Sequence, residues 1–197
     1  GESPHKLVMS ATPIPRTLGL IIYGDLDISV LNELPKGRIP VETYAVTGKL
    51  RQRAFSFIKK HLDEGRQAYI VCPMIEDSDS DLQSVCSYAE KISGNEFKNY
   101  RVGLLHGKMS PAEKDSTMAE FKNGNIDLLV CTTVIEVGVD VPNAVIMLIE
   151  NSERFGLSQL HQLRGRVGRG SEKSYCILIT DNVSEDTLHR VRVMSST

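Results

Sequence analysis

Short runs of branched aliphatic residues recur along this chain, and each is followed by a stretch whose apolar residues return at helical spacing. The runs are Leu7–Ser10, Val41–Val46, Ala68–Cys72, Arg101–Leu105, Asp127–Cys131, Ala144–Ile149 and Tyr175–Ile179. They are rich in Val, Ile and Leu and do not alternate strictly with polar residues, which is how strands covered on both faces read. Between them, Lys49–Glu64 sets Leu50, Ala54, Phe57, Ile58 and Leu62 along one side and stops before Gly65. Asp81–Ile92 stops before Gly94. Ser110, Pro111 and Glu113 form a capping box with proline at the first helical position, opening a helix that runs to Lys122 and ends at Gly124. Leu157–Val167 and Glu185–Val193 complete the helical stretches. Strands and helices in alternation imply parallel strands joined by right-handed crossovers, so the pattern predicts an α/β layered domain with a mainly parallel sheet flanked by helices. Ligands of such sheets gather at the carboxyl ends of the strands.

The first 34 residues do not share this rhythm, and Leu34-Pro35-Lys36-Gly37-Arg38-Ile39-Pro40 is punctuated as an extended linker. Residues 1–34 therefore read as the tail of a preceding domain and 35–197 as one domain. The chain opens on Gly1 and reads as part of a longer protein. It has no run of about 18 apolar residues and no signal-peptide pattern at its start, so no membrane association is expected. Its 23 basic and 25 acidic residues leave the question of nucleic acid to local charge. Cys72, Cys86, Cys131 and Cys176 form no C-x-x-C pair. Three lie in strand-like runs and are expected to be buried, reduced thiols, which suits the cytoplasm. Asp77-Ser78-Asp79-Ser80-Asp81 lacks the glycine and closing glutamate of a calcium loop and reads as a solvated loop. No metal site is expected.

Chemistry concentrates in three places. In Gln162-Leu163-Arg164-Gly165-Arg166-Val167-Gly168-Arg169, three arginines fall within six residues and are separated by glycines. If the helix continues through Arg169, Arg166 and Arg169 share a face, where two guanidinium forks could hold a phosphate and stabilise charge during its transfer. The plainer reading is a solvated basic helix end favoured by the helix dipole. In Thr132-Thr133-Val134-Ile135-Glu136-Val137-Gly138-Val139-Asp140, two hydroxyls follow a strand end, and a glycine and a carboxylate follow them. This suits a phosphate cradle, or simply a helix cap and a turn. His106, Gly107 and Lys108 follow another strand end, and Pro73 a third.

The arginine stretch resembles motif VI of the superfamily-two helicases, and Thr132–Asp140 resembles motif V. His106-Gly107 resembles the short element between motifs IV and V, Tyr69–Pro73 resembles motif IV, and Ser10-Ala11-Thr12-Pro13 resembles motif III. They occur in family order. The strings Tyr23–Val30 and Glu33–Arg38 are similar to the RecG-type branch of that superfamily. The resemblance implies a RecA-like three-layer sandwich, with 1–34 closing a first motor domain and 35–197 forming the second. It implies that Arg166 and Arg169 reach the γ-phosphate of ATP and act catalytically. Gln162, Gly138 and Asp140 then face the nucleotide. Thr132, Thr133, His106, Gly107 and Pro73 face the DNA backbone, and Ser10 and Thr12 couple the two sites. ATP and Mg²⁺ would be bound mainly by the first motor domain. The partners implied are branched or double-stranded DNA, that first motor domain and a wedge domain, in the bacterial cytoplasm.

No G-x-x-x-x-G-K-S/T and no D-E-x-H or D-E-x-D occurs in these 197 residues, so this chain by itself is not expected to hydrolyse ATP. A translocase of the transcription-repair coupling type shares S-A-T-P-I-P-R-T and the arginine motif and remains an alternative, as does a non-catalytic binding module on the same scaffold.

Overall fold

A computed structural model of the chain describes residues 39–73, 79–132, 140–181 and 193–194, within the compact unit Gly37–Thr197. The expected strand Leu7–Ser10, Ser10 and Thr12, Thr133, Gly138 and nearly all of Glu185–Val193 lie outside the described residues. The order of elements is β1 (Glu42–Thr47), α1 (Arg51–Asp63), β2 (Gln67–Val71), α2 (Asp79–Gly94), β3 (Val102–Leu105), α3 (Pro111–Lys122), β4 (Leu128–Cys131), β5 (Ala144–Ile149), α4 (Leu157–Arg164) and β6 (Tyr175–Thr180). Single 3₁₀ turns at Gly48–Leu50 and Ser152–Arg154 follow β1 and β5.

The six strands form one sheet in the order β1-β6-β5-β2-β4-β3. Every neighbouring pair is parallel. The absence of alternation in the sequence has the predicted cause in β2, β4 and β5, all of whose residues are buried. The outer strand β1 departs from it: Tyr44 on this edge is 50% exposed. Successive residues of a strand point to opposite faces, so Ala68 and Ile70 join one core and Tyr69 and Val71 the other. Against the first face pack Phe55, Ile58 and Leu62 of α1 with Val85, Ala89 and Ile92 of α2. Against the second pack Phe121 of α3 with Leu160 and Leu163 of α4. The result is the expected three-layer α/β sandwich.

Local chemistry explains the element ends. Ser110 accepts from the Glu113 amide at 3.3 Å, and Glu113 accepts in return from the Ser110 amide at 2.8 Å. Both orphan amides of the first turn are thereby satisfied. Gly124, at φ 77°, turns the chain out of α3 in a conformation that a Cβ would disfavour.

Three expectations need correction. Leu50 lies in the 3₁₀ turn ahead of α1 and is 43% exposed, while Phe55, one residue off the predicted stripe, is 2% exposed. Asp79 to Asp81 open helix α2 and do not belong to a loop. Helix α4 ends at Arg164 and does not reach Val167. The three cysteines expected to be buried are so, as free thiols. Burial pushes Cys72 and Cys176 up to about 12, which leaves them protonated and inert.

Leu148 sits at the middle of β5 with no exposed surface. Leu148→Ala is expected to cost about 2–5 kcal/mol of folding stability, read as a lowered urea midpoint at unchanged slope.

Candidate nucleotide and nucleic-acid surfaces

The arginine motif begins on α4 and finishes beyond it. The first turn of α4 is closed by the Gln159 side chain, which accepts from the Gly156 amide at 3.0 Å. Leu160 and Leu163 hold the helix on the second core. At Gly165 the backbone leaves the helix, and Arg166 and Arg169 lie on the turn that follows. They do not share a helical face, contrary to the expectation. What positions them is Val167, fully buried between them in the same core as Leu163.

Two glycines let this turn settle. Gly168 has φ 74°, and a Cβ there would stand 2.6 Å from Cγ2 of Val41. A Cβ on Gly170 would stand 2.8 Å from the carbonyl oxygen of Pro142. The turn therefore lies against the segment that leads into β5, and Asp140 begins that segment. Nη1 of Arg169 is 3.3 Å from Oδ1 of Asp140, and its Nε donates to the carbonyl of Gly165 at 2.9 Å. Arg166 is half-buried and has no ion pair or side-chain hydrogen bond among the described residues. Burial and then the charge of Arg169 hold its guanidinium below the ordinary arginine range. Tyr69, 1% exposed, lies in the core beneath, where its phenol senses Arg166, Arg169 and Asp140. Gln162 is exposed on α4. The structure thus brings Arg166, Arg169 and Asp140 together.

The other candidates lie elsewhere, past the carboxyl ends of β2, β3 and β4. Pro73, His106 and Gly107 are half-buried there, and Thr132 is fully buried. The ladder runs on beyond the strands: the Cys72 amide donates to Cys131 at 2.8 Å and the Thr132 amide to Leu105 at 3.1 Å. Nδ1 of His106 and Oγ1 of Thr132 are buried and have no hydrogen-bond partner among the described residues.

Reasoning from sequence missed a buried network on the same edge. Glu150, just past β5 and 4% exposed, accepts from Arg51 Nε at 3.0 Å, Arg51 Nη2 at 3.0 Å and the Tyr88 hydroxyl at 2.8 Å. Asp181, past β6, lies 3.8 Å from Arg51 and accepts from the Gly48 amide at 2.9 Å. One signal was available: Glu150 puts a charge at the end of an otherwise wholly apolar run. Its partner Arg51 is 99 residues away, and no spacing rule reaches that far. Among the described residues no group of His, Cys, Asp or Glu could hold a metal ion.

Residues 51–171 match the family model of the helicase conserved C-terminal domain, and the chain belongs to that family. Its resemblance within the family is to the RecG type. It is 50% identical over 98% of its length to the ATP-dependent DNA helicase RecG of Synechocystis, and 50% identical over its whole length to that of Bacillus subtilis. It spans 24% and 29% of the lengths of these two relatives. A solved structure of RecG bound to a three-way DNA junction superposes with a TM-score of 0.81, at 47% identity, over 95% of this chain and 24% of that one. Domain 2 of the DEAD-box helicase Mss116p, solved on an RNA duplex, shares the fold with a TM-score of 0.61 at 21% identity, over 79% of this chain and 59% of that one.

Gly168→Ala forces a side chain into a left-handed conformation and against Val41. It is expected to destabilise the domain by about 1–3 kcal/mol, measured by urea denaturation.

Proposed function

We propose that this chain carries the second motor lobe of an ATP-dependent DNA helicase that remodels branched DNA, such as replication forks and Holliday junctions, in recombination and repair. The observation that carries the reading is Arg166. A half-buried guanidinium with no described anionic partner, beside a second guanidinium, is a site for a polyanion. Half-identity to RecG helicases over essentially the whole chain, and the likeness to a RecG solved on a junction, favour this reading over a coupling-type translocase.

In this reading ATP and Mg²⁺ sit in a first lobe with the phosphate loop and magnesium carboxylate that this sequence lacks. Arg166 and Arg169 reach across to the γ-phosphate, with Gln162, Gly138 and Asp140 beside them. The guanidiniums stabilise charge as the phosphoryl group leaves, the role of an arginine finger. The carboxyl edge is the DNA surface, where His106, Gly107, Pro73, Thr132 and Thr133 meet backbone phosphates. Ser10 and Thr12 link this edge to the nucleotide. Contacts to phosphates carry little sequence information, so the preference is for DNA shape. The first motor domain and a wedge domain of the same protein are its partners, and the bacterial cytoplasm its place. No helix among the described residues is long and apolar enough to cross a membrane.

In the full-length protein, Arg166→Ala and Arg169→Ala are each expected to lower DNA-stimulated ATP hydrolysis by about 10³-fold or more, with circular dichroism unchanged. Undiminished turnover in both variants would remove the motor reading. The chain by itself is expected to give no ATP turnover above background in a phosphate-release assay, with or without branched DNA.

A further inference from the structure

The two arginines of the turn stand in different states. Arg166 has no described anionic partner, whereas Arg169 is tethered twice, through Nε to the Gly165 carbonyl at 2.9 Å and through Nη1 to Asp140 at 3.3 Å. A guanidinium grips a phosphate with two parallel donors, either Nε with Nη2 or Nη1 with Nη2. Nε, with its single hydrogen, is committed to Gly165, which closes the Nε–Nη2 fork. The Nη1–Nη2 fork keeps free hydrogens, but the Asp140 carboxylate stands against it and competes with a phosphate for the same guanidinium.

From this geometry we infer that Asp140 is a positioning residue that holds Arg169 back, so that the two arginines engage the γ-phosphate in order, Arg166 first. The inference rests on the nucleotide reading above and adds a regulatory role within the same site. Asp140 is the replaceable tether, because Gly165 holds Arg169 through the backbone. Releasing Asp140 removes a negative charge from beside the incoming phosphate and leaves the Nη1–Nη2 edge without a competing carboxylate. Both effects favour a triphosphate over a diphosphate. The side chains of Arg169 and Asp140 are 34% and 55% exposed, so water and salt screen the pair and the effect is modest.

The test is equilibrium binding of a non-hydrolysable ATP analogue and of ADP to the full-length protein. Asp140→Asn should raise the ratio of analogue affinity to ADP affinity by about two- to five-fold at low salt. The gain should shrink as salt is raised and vanish when Asp140→Asn is made in an Arg169→Ala background. A ratio unchanged or lowered by Asp140→Asn, or a gain that persists without Arg169, overturns the inference and leaves Asp140 a plain ligand of the nucleotide. Arg169→Ala alone separates the two levels. If it leaves the ratio untouched, the nucleotide reading of the turn fails. If it lowers the ratio while Asp140→Asn does not raise it, only the hold-back fails.

Discussion

A buried valine anchors the arginine turn in the core of the protein. Val167 has no exposed surface and lies in the core that also takes Tyr69, Leu163 and Val141. Its neighbours on either side carry the charges. An aliphatic side chain buried this deeply makes dozens of close contacts, so the backbone at 167 is fixed and the guanidiniums at 166 and 169 inherit its position. The two glycines matter for the same reason: with side chains at 168 or 170, the valine could not be seated with the turn against Val41 and Pro142. Val141 repeats the device on the facing segment, where a buried residue again adjoins a charged one, Asp140.

Polar groups on this lobe therefore collect in two places with different physics. The arginine turn is open and charged. Its side chains are partly solvated, and its electrostatics respond to salt. The carboxyl edge is drier. There Glu150 binds Arg51 and Tyr88 in an environment that shifts both their proton affinities upward, through hydrogen bonds to the carboxylate for Arg51 and through burial for Tyr88. His106 Nδ1 and Thr132 Oγ1 sit on the same edge with no hydrogen-bond partner among the described residues. Buried polar networks that are fully paired are rigid.

Much of this was readable in the residues, and the failures have specific causes. Strands β2, β4 and β5 were visible because both their faces are covered and their runs are largely apolar. Helix α3 was visible to the residue because Ser110, Pro111, Glu113 and Gly124 each have one strong local preference. Helix α4 was drawn too long because Arg, Val and Arg carry no stop signal of their own. Its end is set by Gly165 and by a glycine conformation that depends on packing against Val41, which lies just ahead of β1 and far away in sequence. The stripe on α1 held at Ala54, Ile58 and Leu62 but failed at Leu50, which falls in a 3₁₀ turn where the helical period does not apply, and it omitted Phe55. The arginine–aspartate pairing was foreseen only as shared membership of a site. Its geometry, with Asp140 ion-paired to Arg169, is tertiary. The Glu150 network joins residues 62 and 99 positions apart and left only a single charged letter as its trace.

The ladder that continues past the strand ends has a mechanical consequence. Cys72 still bonds to Cys131 and Thr132 to Leu105 after the strands have formally stopped. The backbones that carry Pro73, His106 and Thr132 are thus cross-braced up to the point where the candidate contacts begin. A sheet of hydrogen-bonded parallel strands is stiff along its length, and its interior is packed like a crystal. Pro73, His106 and Thr132 are therefore held at spacings that the sheet itself sets, so a change at one of these positions is shared by its neighbours.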